Sequence, residues 1–295
     1  MSDEHIGFIG LGLMGRAMVG CLQDAGYDLT VLGNRDRTGV EEAVARGAKE
    51  AQDAKSLTQK ADIVMICVST SDQVEARVYG EDGILTGAKP GQIVIDFGTS
   101  LPGSTKKIGA DLAGKDSIYL DAPLGRTPAH AKDGLLNIMC SGDEAAYARA
   151  KPVLDVLGEN VFHLGALGNG NTIKLINNYY AMTSALALTE AFAMADSAGV
   201  NRQALYEVIA AGPNHSGMMD FIRNYAVDGK VDLAFSVDNA AKDVGYYRKM
   251  AEGLGLQSRM SGAADATFRE IRQGGDGGLL VPQVVDWMTM HLGDT

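Results

Sequence analysis

The chain has 295 residues, of which 46% are hydrophobic and 21% are charged, a composition typical of a globular protein with room for two domains. Its formal net charge of −11 argues against a nucleic-acid partner, because binding to phosphates needs a basic surface. No apolar run approaches the roughly 20 residues of a membrane span, and no charged-then-apolar leader precedes the first predicted strand. Because such a span is lacking, we expect no membrane partner. The three cysteines show no paired spacing, so we expect a reduced, cytoplasmic protein.

A glycine-rich turn joins the first predicted strand to the first predicted helix. Residues 6–9 form a short apolar run typical of a buried strand, and a helical stretch begins at residue 16. Between a strand and a helix, a G-x-G-x-x-G turn lets the backbone bend sharply, lets a pyrophosphate approach it and lets the two elements pack closely. The turn predicts a dinucleotide site at the helix N-terminus, the alternative being a glycine-rich turn that binds nothing. The residues of the turn that we expect to bind the cofactor are Gly10, Gly12, Leu13, Met14 and Gly15.

Strands and helices alternate through the first half of the chain. Apolar runs predict further strands at 28–32, 62–68, 92–97, 117–120, 136–140 and 160–164, the last of which would close the sheet. Helical patterns lie near 38–46, 72–78, 104–112 and 145–156. The alternation predicts an α/β domain over residues 1–165, with a largely parallel, doubly wound sheet of the Rossmann type.

The pattern changes after residue 165. A helical stretch without proline or glycine is expected over 171–198, about 42 Å long, which suits a helix that links two domains. Further helices are expected at 202–211, 217–225, 238–253, 262–273 and 282–291. The pattern therefore predicts an all-α domain over residues 166–295. The five histidines are scattered and no His/Cys/carboxylate set has metal-ligand spacing, so we expect no metal ion.

Four further segments combine with the glycine turn. They are Asp96–Pro102, Asp121–Thr127, Gly168–Asn178 and Ala241–Val244. In order and spacing, over nearly the whole chain, they resemble the β-hydroxyacid dehydrogenase family. The resemblance implies reversible hydride transfer between a nicotinamide cofactor and a short carbonyl compound or hydroxy acid.

Lys174 matches the catalytic lysine of that family. Reduction of an aldehyde leaves negative charge on its oxygen, so a proton donor must stand there, and Lys174 would be that donor. In oxidation it would accept the hydroxyl proton. Asn177 and Asn178 lie three and four residues further on, on the same face of the helix, where they could orient the substrate or the lysine. The alternative is a solvated lysine in the first turn of a helix.

The second segment departs from the family pattern Asp-Ala-Pro-Val-Ser-Gly-Gly. In place of Ser-Gly-Gly this chain has Gly125, Arg126 and Thr127. Arg126 adds a cation with five hydrogen-bond donors, and Thr127 adds a hydroxyl group. Such a site suits an anion richer in oxygen than a carboxylate, such as a sulfonate. The alternative is that Arg126 binds a carboxylate or a neighbouring acidic side chain.

The chain resembles the sulfolactaldehyde reductase branch of the family at two places. These are Gly-Arg-Thr at 125–127 and Lys-Leu-Ile-Asn-Asn-Tyr at 174–179. The resemblance implies reduction of 3-sulfolactaldehyde to 2,3-dihydroxypropane-1-sulfonate in sulfoglycolysis, with Arg126 binding the sulfonate beside Gly125, Thr127, Asn177 and Asn178. The alternative substrates are a carboxylate semialdehyde or a 3-hydroxy acid, namely succinic semialdehyde, tartronate semialdehyde or 3-hydroxyisobutyrate.

The end of the second predicted strand bears on the choice of cofactor. Asn34 and Arg35 stand where NAD-preferring proteins carry an acidic residue for the ribose 2′-hydroxyl, and they resemble NADP-preferring members of the family. Arg37 adds a cation nearby, whereas Asp36 would repel a 2′-phosphate if it pointed at the ribose. Sulfolactaldehyde reductases use NADH. We expect NADP(H) in preference to NAD(H), the alternative being that both arginines are ordinary surface charges. Further cofactor contacts are expected from Val68, Ser69, Thr99 and Lys242.

Two other classes of protein share this pattern. One is an inactive dinucleotide-binding module, and the other is an imine reductase, which lacks a lysine at this position. The presence of Lys174 argues against both. The resemblance also implies that the helical domain, residues 166–295, serves substrate binding and oligomerisation. Family members associate through this domain, so a homodimer or a homotetramer is implied.

Overall fold

The computed structural model describes residues 4–34 and 36–293. The chain divides into two compact units, residues 1–174 and 175–295. The boundary after residue 165 stays a prediction. No helix in the described part of the chain is long and apolar enough to cross a membrane.

Six parallel strands form the main sheet of the first unit, in the order β3-β2-β1-β4-β5-β6. The order reverses between β1 and β4, which is where doubly wound sheets open a crevice for ligands. The predicted Rossmann-type fold is therefore confirmed. The strands are β1 (Ile6–Ile9), β2 (Leu29–Leu32), β3 (Lys49–Glu50), β4 (Ile63–Ile66), β5 (Ile93–Asp96) and β6 (Ile118–Asp121).

Helices cover both faces of this sheet. Phe8 and Met65 point into one apolar core, which α1, α2 and α8 complete, and Ile66 and Val94 point into the other, with α3, α4 and α6. Burial on both faces explains why the central strands are continuous apolar runs in the sequence. The helices of this unit are α1 (Leu13–Asp24), α2 (Thr38–Ala45), α3 (Ala54–Lys60), α4 (Ser71–Tyr79), α5 (Ile84–Gly87), α6 (Pro102–Ala113), α7 (Pro128–Lys132) and α8 (Glu144–Leu157).

A second, three-stranded sheet corrects one expectation. The strands predicted at 136–140 and 160–164 exist, but they do not close the main sheet; they pair with each other and with a short strand before them. Along 136–140 burial alternates, so this strand buries a single face. The strands are β7 (Leu124–Gly125), β8 (Leu136–Cys140) and β9 (Gly158–His163).

The second unit is helical, as predicted. The 29-residue helix α9 begins in the first unit and continues through the second, where the rings of Tyr179 and Tyr247 stack with their centroids 4.1 Å apart. Phe192, Phe268 and Val284 lie in the core of this unit. Its helices are α9 (Asn169–Ser197), α10 (Arg202–Ala210), α11 (Gly217–Asp228), α12 (Val237–Gly253), α13 (Arg259–Gln273) and α14 (Val284–His291), the last preceded by a 3₁₀ turn, Val281–Gln283.

Candidate active site

The three glycines of the turn after β1 have different surroundings. Gly10 has a φ of 97°, and a Cβ atom on Gly15 would lie 1.9 Å from the Gly10 carbonyl oxygen. A Cβ atom on Gly12 would meet nothing within 4 Å. Gly12 is also the N-cap of α1, where it makes no side-chain hydrogen bond to the first-turn N–H groups of the helix. Gly10 and Gly15 therefore serve the fold, and Gly12 leaves room for a phosphate group to approach the backbone.

The side chains that follow Gly12 differ in exposure. Leu13 is 74% exposed, whereas Met14 is half-buried and packs against the core. The Leu13 side chain is therefore accessible for the predicted contact with a cofactor.

Two other loops lie at the same carboxyl edge of the sheet as the glycine turn. A Cβ atom on Gly10 would lie 3.0 Å from the Val68 side chain, and one on Gly98 would lie 3.0 Å from the Val68 carbonyl oxygen. Val68 follows β4, and Gly98 and Thr99 follow β5. The structure thus brings Val68 beside the glycine turn and the Thr99 loop beside Val68. Ser69 is exposed, and its N–H donates to the Gln73 side chain over 2.9 Å.

The loop after β2 carries the residues predicted to choose the cofactor. Asn34 is exposed, and Arg35 lies outside the described residues. The Asp36 carboxylate accepts the Thr38 N–H over 3.0 Å, and this bond lowers the pKa of Asp36. Asp36 is therefore an anion fixed at the start of α2.

Arg37 is already paired. Its guanidinium donates to both carboxylate oxygens of Glu50, over 2.7 and 2.8 Å. A bidentate pair of this kind satisfies the geometry of both groups. The cation that Arg37 is predicted to add near the cofactor is thus paired with Glu50, and its role toward a cofactor stays a prediction.

A buried carboxylate holds the start of α9. Asp121 is the last residue of β6 and accepts the N–H groups of Gly168 and Asn171, over 2.8 and 2.7 Å, and the hydroxyl of Ser141. The Ser141 oxygen in turn accepts the Gly170 N–H over 2.9 Å. Burial raises the pKa of Asp121, and these hydrogen bonds oppose that rise. Donors that have no partner within the helix are thus satisfied from β6 and from the residue after β8.

The side chain of Asn171 links this helix to the loop after β5. Its Oδ1 atom accepts the Ser100 N–H over 2.9 Å, and its Nδ2 atom donates to the Thr105 hydroxyl over 3.2 Å. The Ser100 hydroxyl donates to Asp96 over 2.7 Å. Burial raises the pKa of Asp96 to about 6. The Thr99 loop and the first turn of α9 are therefore one hydrogen-bonded assembly.

Lys174 lies three residues after Asn171, about 4.5 Å further along the helix axis. It is half-buried. Contacts run without a break from Gly10 through Val68, Gly98–Ser100 and Asn171 to the turn of α9 that carries this lysine. The predicted dinucleotide turn and the predicted proton donor thus belong to one connected edge of the first unit.

The asparagines after Lys174 belong to the second unit. Asn178 is buried, and its Nδ2 atom donates to Asp243 over 2.6 Å. Asn177 is exposed and donates to the Asn178 Oδ1 atom over 3.2 Å. The Lys242 Nζ atom lies 3.2 Å from the other oxygen of Asp243. Asp243 therefore orients Asn178 and Lys242 together.

The Arg126 guanidinium contacts two hydrogen-bond acceptors of the protein. Its Nη1 atom lies 2.5 Å from a Glu159 carboxylate oxygen and donates to the Leu135 carbonyl over 2.8 Å. Its backbone φ is 75°, a conformation that side-chain-bearing residues rarely adopt. The structure thus realises the alternative in which Arg126 binds a neighbouring acidic side chain; a role toward substrate stays a prediction.

The residues on either side of Arg126 are also built into the fold. Gly125 lies in β7 and pairs with Asn137 of β8. The Thr127 hydroxyl lies 2.8 Å from the Nδ1 atom of His130. Their contacts with a substrate stay predictions.

The sequence motifs do not predict three contributors to this assembly. Asp121 and Asn171 lie within motifs that assign them no role, and Ser141 lies outside all of them. The available signal was that Asp96, Asp121 and Ser141 each directly follow an apolar run, at the strand ends where ligands bind. Across residues 4–34 and 36–293, no group of three or more His, Cys, Asp and Glu side chains could hold a metal ion.

Both halves of the chain match known sequence families. Residues 5–165 match the family described as the NAD binding domain of 6-phosphogluconate dehydrogenase. Residues 168–287 match the family described as "NAD-binding of NADP-dependent 3-hydroxyisobutyrate dehydrogenase".

Individual relatives agree with these matches. The chain is 30% identical to 2-hydroxy-3-oxopropionate reductase of Escherichia coli over 253 residues, which cover 85% of each chain. It is similar to a solved structure of Mycobacterium tuberculosis 3-hydroxyisobutyrate dehydrogenase with L-serine, with a TM-score of 0.88, 25% identity and coverage of 97% and 99%. It is also similar to Psf3 in complex with NADP+ and 2-OPP, with a TM-score of 0.84, 25% identity and coverage of 96% and 99%.

Proposed function

Since this chain belongs to the β-hydroxyacid dehydrogenase family, we propose that it interconverts a short anionic aldehyde and the corresponding alcohol, with Lys174 transferring the proton. It is an NAD(P)-dependent oxidoreductase. The observation that carries the proposal is the connected path from the glycine turn through Ser100 and Asn171 to Lys174.

The chemistry divides between cofactor and chain. A nicotinamide cofactor bound at the glycine turn supplies or accepts the hydride. At the substrate oxygen, the Lys174 Nζ atom donates a proton in reduction and accepts the hydroxyl proton in oxidation. Asn178, held by Asp243, keeps a second amide N–H for orienting the substrate.

We propose that the anionic group of the substrate lies at the loop Gly125–Thr127. A carboxylate is the first candidate, because the Arg126 guanidinium is occupied by Glu159 and Leu135. Two relatives favour the same class: one is named for 2-hydroxy-3-oxopropionate, and another was solved with L-serine. Succinic semialdehyde, tartronate semialdehyde and 3-hydroxyisobutyrate all carry such a group.

A sulfonate is the second candidate, on a separate observation. Arg126 keeps a left-handed backbone in which glycine would be unstrained, and this favours a role for its side chain. Glu159 is 51% exposed, and a pair at the surface is weak enough for a ligand anion to compete with it. The corresponding substrate is 3-sulfolactaldehyde.

Four assays test the proposed function. Steady-state reduction of succinic semialdehyde and of racemic 3-sulfolactaldehyde is measured with NADH and with NADPH. Turnover of either aldehyde supports the proposal, and the ratio of the two kcat/KM values selects the anion. The proposal would be contradicted if all four assays fail and the protein also neither reduces tartronate semialdehyde nor oxidises 3-hydroxyisobutyrate with NAD+ or NADP+.

We further propose NADP(H) as the preferred cofactor, with Arg35 binding the 2′-phosphate. Asn34 brings no negative charge to the end of β2, and Asp36 is fixed toward Thr38. Because Arg37 is paired with Glu50, the preference would rest on Arg35. The four assays described above, with NADH and with NADPH, measure this cofactor preference.

We also propose self-association through α9. Ile176, Tyr180 and Met194 are 49%, 69% and 56% exposed, and their spacing of 4 and 14 residues places them on one side of the helix. Sedimentation of the parent and of Tyr180→Glu tests the proposed association. The assembly formed by the variant should have a smaller mass than that of the parent, and equal masses would contradict the proposal.

A further inference from the structure

The first turn of α9 is fixed by groups from outside the helix, although helix ends commonly fray. Asp121 and Ser141 together accept the N–H groups of Gly168, Gly170 and Asn171. A carboxylate suits this place because its charge is favourable beside the positive end of a helix dipole and its hydrogen bonds are charge-assisted. The lysine that would serve the reaction comes only three residues after the last of these donors.

The backbone at the start of α9 also approaches the strands unusually closely. A Cβ atom on Gly170 would lie 2.2 Å from the Met139 carbonyl oxygen and 2.9 Å from Asp121. The helix can therefore neither retreat from the Asp121 carboxylate nor rotate about its axis without losing these contacts. On its other side, Asn171 fixes the same turn to Ser100.

We propose that Asp121 is a positioning residue for Lys174. With the Ser141 hydroxyl, its carboxylate sets the height and rotation of the first turn of α9, and so the place of the lysine ammonium relative to the substrate oxygen. The inference rests on the proposed function of Lys174. Catalysis is sensitive to such placement, since a displacement of about 1 Å can cost on the order of 100-fold in rate.

The test compares three variants of the full-length protein. Asp121→Asn keeps the size of the side chain but puts an amide N–H where one of the donors now finds an acceptor. Ser141→Ala removes a single hydroxyl from the same assembly and serves if Asp121→Asn folds poorly. Asp53→Asn is the matched control, because Asp53 caps α3 by accepting the Ser56 N–H over 2.7 Å and touches no proposed site.

Three quantities are measured for each variant: kcat and KM with a primary isotope effect from deuterated cofactor, hydrogen exchange of the peptide that covers 168–174, and the rate at which the Lys174 amine is reductively methylated. For Asp121→Asn we expect kcat to fall about 100-fold with cofactor KM within about threefold, a larger isotope effect, faster exchange and a changed methylation rate. Ser141→Ala should show the same changes to a smaller degree. Asp53→Asn should match the parent in all three.

The outcomes separate the two proposals. If exchange of the α9 peptide rises while kcat, the isotope effect and the methylation rate stay at parental values, Asp121 is a purely structural cap and the inference is overturned. If the parent protein reduces none of the aldehydes, the proposed function fails, yet the exchange and methylation rates still decide whether Asp121 places Lys174.

Discussion

The backbone of Gly10 lies so close to Gly15 that a Cβ atom on Gly15 would lie 1.9 Å from the Gly10 carbonyl oxygen. At Gly12, between them, a Cβ atom would meet nothing within 4 Å, and φ is an ordinary −71°. One motif thus contains positions that serve the fold and a position that leaves space for a ligand. The two roles can be separated by experiment.

Gly12→Ala should fold like the parent and bind cofactor poorly. We expect its free energy of unfolding within about 1 kcal/mol of the parent and its cofactor Kd raised at least about tenfold, because the new methyl group occupies the approach to the first-turn N–H groups. Gly15→Ala should instead lose about 1–3 kcal/mol of stability or more, since its methyl group meets a backbone carbonyl. Urea unfolding and cofactor titration measure both. Equal cofactor affinity in Gly12→Ala and the parent would place the dinucleotide elsewhere.

Lys174→Ala should lower kcat by about 10²- to 10⁴-fold, the usual contribution of a positioned proton donor. Cofactor Kd should change less than about threefold, because the glycine turn is intact. Stopped-flow reduction of succinic semialdehyde, with cofactor titration alongside, measures both quantities. Lys115→Ala, at an exposed position just after α6, is the control and should match the parent. Parental turnover in Lys174→Ala would remove the lysine from the mechanism.

Arg126→Gly separates the two candidate anions. Glycine adopts the φ of 75° without strain, so the variant should fold, and any loss should reflect the missing guanidinium. If Arg126 binds a sulfonate, kcat/KM for 3-sulfolactaldehyde should fall by about 10- to 150-fold, equivalent to about 1.5–3 kcal/mol, with succinic semialdehyde little affected.

Glu159→Gln is the matched control for that experiment. It releases the guanidinium from its present ion pair without removing it, so it should raise kcat/KM for the sulfonate. Equal losses on both substrates in Arg126→Gly, with no gain in Glu159→Gln, would show that the arginine is structural.

Arg35→Ala should weaken the binding of NADPH more than the binding of NADH. We expect KM for NADPH to rise about tenfold or more, because a charge-assisted contact with the 2′-phosphate is lost, and KM for NADH to stay within about threefold. Arg37→Ala is the paired comparison and should change neither value by more than about threefold, since its guanidinium is bound to Glu50. A loss of NADPH preference in Arg37→Ala alone would reassign the 2′-phosphate contact.

Asp96 should make stability depend on pH in an identifiable direction. Burial raises its pKa to about 6 from an ordinary value of 3.8, so between these values the folded chain binds more protons than the unfolded chain. Its contribution to the free energy of unfolding is therefore fully present below about pH 4 and falls as pH rises through 6, by on the order of 3 kcal/mol. Urea unfolding of the parent and of Asp96→Asn between pH 4 and 8 should give a difference with this slope; a constant difference would contradict the raised pKa.

Much of the fold could be predicted because its main signals are local. The strands around Ile6–Ile9, Ile63–Ile66 and Ile93–Asp96 are buried on both faces and form continuous apolar runs in the sequence. Helix α9 contains no proline, and no glycine after Gly170. The second sheet was misassigned because an apolar run does not reveal which strand it pairs with. Helix α3 was missed because Leu57 is its only large apolar residue.

The site was predictable as far as motifs reach. The glycine turn and the segment around Lys174 were identified from residue types at fixed spacing. The partners of those motifs were not, because they are distant in the sequence: Asp121 lies 50 residues from Asn171, and Asn178 lies 65 residues from Asp243. Likewise, nothing in the sequence around Arg126 indicates that Glu159 lies beside it in the folded chain.

The most direct measurement follows the hydride itself. Succinic semialdehyde is reduced by the parent protein with a nicotinamide cofactor deuterated at the transferable position, and the alcohol product is examined by mass spectrometry and NMR. We predict one deuterium on the former carbonyl carbon, formed at a rate that collapses in Lys174→Ala. Product without deuterium, or undiminished labelling by Lys174→Ala, would contradict hydride transfer assisted by this lysine.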